Sequence, residues 1–346
     1  MAVLKRCPVL PLAMVLSLLL TGCLSDDPQS TFSRDGDVAS LQFDLFTLMW
    51  WLMVGVFVVV EGILLYAVLR FRRRPGQPDV IPVQTHGNTR LEIAWTIAPV
   101  LVLVALMVPT IQGIGYLSEK QTGDAITVRV VAHQWWWEFQ YPELGVSTAN
   151  EMHIPVGKNV NIELESADVI HSFWVPRLAG KQDVVPNHHN TMWLNARVPG
   201  EYYGQCAELC GVSHALMKFR VIAQPQGEFE AWVNAEKSPQ PPPTGRAAEG
   251  STLFLSKGCI ACHTIKGNPA AQAKIGPDLT HVGSRTMIAA GLLENNTENL
   301  SRWLRDPNEV KPGNIMGRDA LAYKEAAFRL TDDDISKLVA YLQSLR

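Results

Sequence analysis

The sequence has 346 residues and a net charge of −3. At roughly 100–200 residues per domain, this length allows two or three domains. The slightly acidic balance argues against a nucleic-acid-binding protein, which would carry a basic stripe. Long uncharged stretches alternate with segments of ordinary soluble composition. This distribution predicts membrane-spanning segments joined to water-soluble domains.

The N-terminus has the features of a bacterial lipoprotein signal. Lys5 and Arg6 precede an apolar run over 8–20, and small residues follow just before Cys23. The run is short for a membrane span, so we predict a cleaved signal peptide over 1–22. Cys23 would then be the first residue of the mature chain and a site of lipid attachment on the outer face of the membrane.

Two stretches are long and apolar enough to cross a membrane. The first, over 45–69, contains one charge, Glu61, and the basic segment Arg70–Arg74 follows at once. About 20 apolar residues suffice for a span, and basic residues mark its cytoplasmic end. The second, over 93–116, returns the chain to the outside. We therefore predict an N-terminal segment and helical hairpin over 23–118. Glu61 has two interpretations. It either contacts another subunit or a proton path there, or its side chain extends toward the lipid headgroups at the helix end.

The following segment changes to an alternation of apolar and polar residues. Alternation broken by Gly, Pro and Asn is typical of antiparallel strands with one buried face. We predict a β-sandwich domain over 119–236, closing with a short helix over 227–236. A Pro-rich and semi-rigid linker follows over 237–246. The alternating segments are 126–131, 160–164, 191–198 and 218–222.

A cluster of soft metal ligands lies between two of these predicted strands. The segment Cys206–Met217 carries two cysteines, a histidine and a methionine, and another imidazole is available at His171. Thiolate and imidazole select copper or zinc over calcium or magnesium. The thioether of Met217 favours copper, because zinc is normally bound by Cys, His and carboxylates. The second cysteine, Cys210, departs from a one-copper site, and the two thiolates could bridge two copper ions.

The C-terminal region contains the motif C-x-x-C-H at Cys259, Cys262 and His263. This motif is typical of c-type haem attachment through two thioether bonds, with the histidine as an axial ligand. A thioredoxin-like redox pair is the competing interpretation, but it requires a βαβ context that the helical pattern here lacks. Methionine commonly completes the axial pair in electron carriers. Met316, in an unpatterned loop, is the better candidate and Met287 the other.

The same domain, predicted over 247–346, ends in an amphipathic helix. Thr331 and Asp334 form a predicted capping box at its start. The charges of this domain nearly balance, so electrostatic steering of a partner is not indicated. The short linker instead keeps the domain at a high effective concentration near the rest of the chain. The apolar stripe of this helix consists of Ile335, Leu338, Val339, Leu342 and Leu345.

These features together resemble subunit II of haem–copper cytochrome c oxidases, fused to a class I cytochrome c domain in a caa3-like arrangement. The resemblance covers about 40–235 and, in the last domain, the C-x-x-C-H motif and Gly276–Leu279. It implies a two-helix transmembrane hairpin, a cupredoxin-like β-sandwich and an all-α cytochrome c domain whose last helix crosses its first. The segments that carry the resemblance are Leu91–Pro99, His133–Tyr141, Asp168–Ser172 and Cys206–Met217.

The resemblance also implies two resident redox groups, a dinuclear copper centre called CuA and a haem c. The Glu208 side chain would reach a magnesium or manganese ion at the interface with subunit I. The haem would be held by Cys259, Cys262, His263 and Met316. The implied CuA ligands are two bridging cysteines, two histidines, a weak axial methionine and one backbone carbonyl, namely Cys206, Cys210, His171, His214, Met217 and Glu208.

Two further residues match functional positions of that family. Trp135 corresponds to the tryptophan through which electrons reach CuA, although aromatic core packing would also explain it. Glu92 corresponds to a carboxylate near a proton path of subunit I, although an acidic residue is also favourable at a helix N-terminus. One departure is Pro186-Asn-His188-His189, where many relatives carry Pro-Gly-Arg. We interpret these histidines as exposed loop residues rather than a metal pair.

The implied function is the electron-input subunit of a membrane-bound terminal oxidase in aerobic respiration. Electrons would pass from a donor through haem c and CuA to the oxygen-reducing centre in subunit I, coupled to proton translocation. Expected partners are subunits I and III, a c-type cytochrome or other respiratory donor, and membrane lipid. The expected location is the bacterial inner membrane, with both soluble domains on the periplasmic side. Two alternatives stay open: the electron-input subunit of a CuA-containing nitric oxide reductase, and a membrane-anchored electron carrier without an enzyme partner.

Overall fold

A computed structural model describes residues 27–73, 76, 81 and 83–346 of the chain. The predicted signal peptide, Cys23 and Arg74 lie outside the described residues. The described part consists of two long apolar helices, a β-sandwich and a helical C-terminal region, in that order. The predicted fold class is thereby confirmed.

Helices α1 (Asp37–Phe71) and α2 (Thr89–Ser118) form the hairpin. Both are long and apolar enough to cross a membrane. At 1.5 Å of rise per residue, each is longer than the roughly 30 Å hydrocarbon core of a bilayer. Pro99 and Pro109 lie inside α2, where a membrane helix tolerates proline. Most apolar side chains along both helices are exposed, which suits contact with lipid or with another membrane subunit.

The middle of the chain forms two five-stranded sheets among the described residues. The strands are β1 (Ile126–His133), β2 (Trp136–Tyr141), β3 (Val146–Ala149), β4 (Glu151–Pro155), β5 (Val160–Ser166), β6 (His171–Trp174), β7 (Lys181–Val184), β8 (Asn190–Leu194), β9 (Gly200–Cys206) and β10 (Lys218–Gln224). One sheet has the order β3-β2-β1-β5-β8 and the other the order β4-β10-β9-β6-β7.

Two strand pairs differ from the predicted antiparallel arrangement. Strand β1 pairs with β5, and β4 with β10, in parallel. Alternation of apolar residues could not reveal this, because it reports which face is buried and not the direction of the neighbouring strand. The core between the sheets contains fully buried Trp137, Phe139, Phe173 and Phe219. The two cysteines of the copper loop belong to the same buried cluster.

The hairpin is attached to the sandwich near strand β8. The Asp37 carboxylate, in the first turn of α1, accepts hydrogen bonds from Asn195 at 2.6 Å and from Arg197 at 2.7 Å. At the far end of α2, the ring of Tyr116 packs edge-on against Trp193 with centroids 5.4 Å apart. The sandwich therefore lies close to the helix ends that the topology prediction puts on the outer side of the membrane.

The C-terminal region is helical, as predicted. The capping box of Thr331 and Asp334 is present, and the predicted apolar stripe is buried. The linker residue Gln240 bonds His281 at 2.8 Å and the carbonyl oxygen of Arg346 at 2.6 Å, so the linker is fastened to the domain that follows. Helix α3 (Gln226–Lys237) packs on the sandwich. The elements of the C-terminal domain are α4 (Arg246–Ser256), β11 (Met287–Ile288), β12 (Leu293–Glu294), α5 (Thr297–Arg305), α6 (Pro307–Val310), α7 (Ile315–Asp319), α8 (Leu321–Lys324) and α9 (Asp332–Ser344).

The first and last helices of this domain, α4 and α9, cross at Gly250. A Cβ atom at this position would lie 2.1 Å from the carbonyl oxygen of Lys337. We therefore predict that Gly250→Ala destabilises the domain by about 1–3 kcal/mol, the usual cost of overpacking a close contact. The measurement is the urea concentration at which protease begins to cleave the domain. Thr252→Ala, exposed on the same helix, is the control, and equal shifts for both variants would contradict the prediction.

Candidate functional site

The predicted copper ligands converge at one end of the sandwich. Strand β9 ends at Cys206, the next loop carries Cys210 and His214, and β10 begins directly after Met217. Strand β6 begins at His171 and pairs antiparallel with β9, and β9 pairs antiparallel with β10. Antiparallel pairing brings the start of one strand to the end of its neighbour. The sheet thus gathers ligands from two separate segments of the chain.

The sulfur of Cys206 has three ligand atoms as neighbours. It lies 3.7 Å from Sγ of Cys210, 3.8 Å from Nδ1 of His171 and 3.3 Å from the carbonyl oxygen of Glu208. The donor atoms of His171, Cys206 and Cys210 all lie within 4.8 Å of one another, and all three residues are buried. Buried soft donors at this spacing suit a copper ion.

The sulfur of Cys210 has a matching set of neighbours. It lies 3.5 Å from Nδ1 of His214 and 3.8 Å from Sδ of Met217. Each sulfur thus has its own imidazole, and both imidazoles present Nδ1. This arrangement fits two metal ions between two sulfurs, with one histidine for each ion.

The two thiols are free rather than joined. Their separation of 3.7 Å far exceeds the roughly 2.0 Å of a disulfide. The contact between the two sulfurs lowers the pKa of Cys206, while the same contact, together with burial, raises the pKa of Cys210. Thiolate is the form of cysteine that binds metal, so the lowered pKa of Cys206 suits it as a metal ligand.

Asp168 orients one of the histidines. Its Oδ1 lies 2.8 Å from Nε2 of His171, which leaves Nδ1 directed toward Cys206. Burial acts to lower the pKa of His171, but the bond to Asp168 and the proximity of Cys206 raise it overall. Carboxylates commonly fix a metal-binding histidine in this way. Sequence reasoning gave Asp168 no role, although its position three residues before His171 was a usable signal.

The C-x-x-C-H motif lies at a large, mostly apolar cavity of the C-terminal domain, lined by Cys259, Cys262 and His263. Nδ1 of His263 lies 2.8 Å from the carbonyl oxygen of Pro277, so a protonated Nδ1 donates there and Nε2 is left for a metal. A Cβ at Gly276 would lie 2.6 Å from Cε1 of this imidazole, so only glycine allows the loop so close. Burial lowers the pKa of His263 and favours the neutral, ligating form.

Both methionine candidates, Met316 and Met287, line the same cavity. The prediction that Met316 lies in a loop was wrong, because it lies in the first turn of α7, whose N-cap is Asn314. So short a helix offers no periodic pattern to detect. Arg285 also lines the cavity, and its buried Nε has no hydrogen-bond partner among the described residues. A haem carboxylate would satisfy this donor, so the residues present fit a haem.

The sandwich domain completes the wall of this cavity with Gln134, Trp135, Trp136 and Asn150. Trp135 is only 7% exposed, and its Nε1 donates to the carbonyl oxygen of Cys210 at 3.0 Å. One side chain therefore contacts the copper loop and also lines the haem cavity. Of the two tryptophans that follow Trp135, Trp137 is fully buried and Trp136 is half-buried.

The remaining predicted residues lie away from these two sites. The Glu92 carboxylate accepts a hydrogen bond from the backbone N–H of Asn88 at 3.3 Å, at the start of α2. In the isolated chain, this bond favours the interpretation that Glu92 stabilises the helix N-terminus. Glu61 is half-buried in α1. His188 and His189 are exposed, as expected, and Nδ1 of His189 lies 3.0 Å from Glu165.

Comparison with known proteins gives matches along nearly the whole sequence. Three family models match in order: the transmembrane domain of cytochrome c oxidase subunit II over residues 37–112, its periplasmic domain over 144–224, and cytochrome c over 247–346. The cytochrome c oxidase subunit 2 of Alkalihalophilus pseudofirmus is 43% identical, over 97% of this chain and 96% of its own. The chain belongs to the cytochrome c oxidase subunit II family.

Other members of the cytochrome c oxidase subunit II family are also similar. The cytochrome c oxidase subunit 2 of a Bacillus species is 41% identical, over 96% of this chain and 95% of its own. The crystal structure of the periplasmic domain of subunit II of cytochrome oxidase from Bradyrhizobium japonicum is 32% identical and covers 34% of this chain and 96% of that one, with a TM-score of 0.33. Family membership implies copper in the sandwich and haem c in the last domain. It also makes the chain a membrane-anchored oxidase subunit with an outer domain.

Proposed function

We propose that this chain receives electrons from an external donor on haem c and passes them through Trp135 to CuA. From there they reach the oxygen-reducing centre in subunit I of a proton-translocating terminal oxidase. The position of Trp135 carries the proposal. Its indole bonds the carbonyl of Cys210 and lines the cavity that holds Cys259 and His263. The chain thus contains a continuous contact between its two redox sites.

In the sandwich, Cys206 and Cys210 would bridge the copper pair, and His171 and His214 would each bind one ion through Nδ1. Met217 and the carbonyl of Glu208 complete the ligand set. When bound, the copper pair and the haem supply one-electron oxidation and reduction. Cys206, Cys210 and Met217 belong to the buried apolar cluster of the sandwich, which holds them in place. Asp168 keeps His171 in its ligating orientation.

In the C-terminal domain, Cys259 and Cys262 would attach the haem through thioether bonds, with His263 and Met316 as axial ligands. The hydrogen bond from His263 to Pro277 fixes the ring and increases its basicity. Arg285 would bind a haem carboxylate. The mostly apolar wall would limit the access of water to the haem.

Family membership and the hairpin support the remaining parts of the proposal. We place the protein in the bacterial inner membrane, with the CuA and cytochrome c domains on the periplasmic side and Cys23 as a lipid anchor. Subunit I would contact the hairpin and the half-buried Glu208, which would reach a magnesium or manganese ion at that interface. Subunit III would complete the assembly. Glu92 would lie near a proton path of subunit I.

The test is to purify the tagged chain with its partners from membranes and to supply a reduced c-type cytochrome. Rapid, cyanide-sensitive oxygen uptake by a complex with a large multi-span subunit is the expected result. Nitric oxide, offered as a competing acceptor, decides the first alternative. Nitric oxide reduction without oxygen uptake would assign the chain to a reductase. Isolation of the chain alone, without turnover, would make it a membrane-anchored carrier.

A further inference from the structure

The two soluble domains meet through a lysine that is buried in the contact. Lys311 precedes Met316 in the chain and is 3% exposed. Its Nζ donates to the carbonyl oxygen of Trp135 in the sandwich, and to that of Ala289 at 3.4 Å. Within the part of the chain that the structure describes, Lys311 forms no ion pair with a carboxylate. A cation of one domain is therefore bound by backbone oxygens of both domains.

The residues after Lys311 lie on the same surface. The hydroxyl of Ser213, in the copper loop, donates to the carbonyl oxygen of Pro312 at 2.6 Å. A Cβ on Gly313 would lie 3.5 Å from Cη2 of Trp135. The loop that leads to Met316 thus lies across the indole of Trp135 and against the copper loop.

Packing alone does not account for a lysine at this position. Burial lowers the pKa of Lys311 to about 7, and the proximity of Cys210 opposes this shift, so Lys311 carries its charge below that pH. An apolar side chain of similar length would fill the same space without the cost of desolvating an ammonium group. The Lys311 ammonium instead lies near the copper loop, so that its positive charge acts there. It also donates a hydrogen bond to the Trp135 carbonyl and thereby fixes that backbone.

We propose that Lys311 is a positioning residue for electron transfer from haem c to CuA. Its ammonium holds the loop of the axial methionine against Trp135, and its charge stabilises the reduced copper centre beside it. The step moves one electron from haem c, which is oxidised, to CuA, which is reduced, with no bond formed or broken. The inference rests on the proposed function, because it requires both groups to be bound.

A second contact between the domains supplies a matched control. The buried carboxylate of Glu151 accepts hydrogen bonds from the hydroxyl of Thr286 and the N–H of Met287, both at 2.7 Å. Thr286→Val removes one hydrogen bond between the domains without changing a charge or touching Trp135. The Thr286→Val variant therefore shows which effects come from weaker docking of the two domains and which are specific to Lys311.

The experiment uses the intact complex and measures two quantities, the rate of electron transfer from haem c to CuA and the midpoint potential of CuA. Lys311→Met should slow the transfer by about tenfold or more, because loss of a hydrogen bond to a charged group lowers the population of the docked arrangement by about that factor. Measured below pH 7, where Lys311 carries its charge, the same variant should also lower the CuA potential, because a nearby positive charge favours the reduced state. Lys311→Arg should keep the potential and recover part of the rate, and Thr286→Val should leave the potential unchanged.

The outcomes distinguish this inference from the proposed function. A wild-type rate and CuA potential in Lys311→Met would overturn the role of Lys311 and leave the proposed function standing. A wild-type protein with no transfer from haem c to CuA would overturn the proposed function itself. If the methionine variant does not assemble, Lys311→Gln provides a neutral donor, and an unchanged CuA potential in that variant would equally overturn the inference.

Discussion

Cys210→Ser is expected to abolish the dinuclear copper centre and nearly all oxygen uptake from a reduced c-type donor. The Cys210 sulfur has Cys206, His214 and Met217 as neighbours at 3.5–3.8 Å, so its loss removes the link between both halves of the site. Even residues that only support metal ligands contribute about 10–100-fold to affinity or activity. We therefore expect turnover to fall by more than about a hundredfold. The measurements are copper content, the electron paramagnetic resonance signal of the copper pair and oxygen uptake.

Leu209→Ser is the control for the copper content of that variant. Leu209 lies in the same loop and is 76% exposed, so its replacement should leave the copper content unchanged. Haem c should stay attached in both variants, because its ligands belong to the other domain. Two coppers retained in Cys210→Ser would contradict the bridging role of Cys210 and with it the dinuclear assignment.

Met316→Leu is expected to lower the midpoint potential of haem c and to slow reduction of CuA. Methionine opposite histidine raises the potential of a c-type haem, and axial ligation sets haem potentials over a span of about 0.8 V. Leucine keeps the volume and removes the sulfur. The measurements are a redox titration of the haem and the long-wavelength absorption band that accompanies methionine ligation.

Met287→Leu is the matched control, because Met287 lines the same cavity. Its replacement should leave both the haem potential and the band intact. The opposite pattern, with loss of the band only in Met287→Leu, would make Met287 the axial ligand. In that case the short helix α7 would serve docking rather than ligation.

Candidate ligands for both sites could be identified from the sequence because they are mostly close together in the chain. The segment Cys259–His263 contains both proposed attachment sulfurs and one proposed axial ligand, and Cys206–Met217 contains most of the proposed copper donors. Spacing and ligand type are properties of the local sequence. The capping box at Thr331 and the last amphipathic helix were predictable for the same reason, since each depends on residues three or four positions apart.

The arrangement of these sites relative to each other was decided only by the tertiary structure. The sequence by itself determined the order of the domains, the ligand types and the apolar hairpin. It did not reveal that Lys311 binds the carbonyl of Trp135, 176 positions away, or that Glu151 binds the backbone of Met287. These contacts use backbone groups, which every residue carries, so no side-chain pattern marks their partners. The docked position of the cytochrome c domain therefore depends on long-range packing that the chain forms only when both domains are folded.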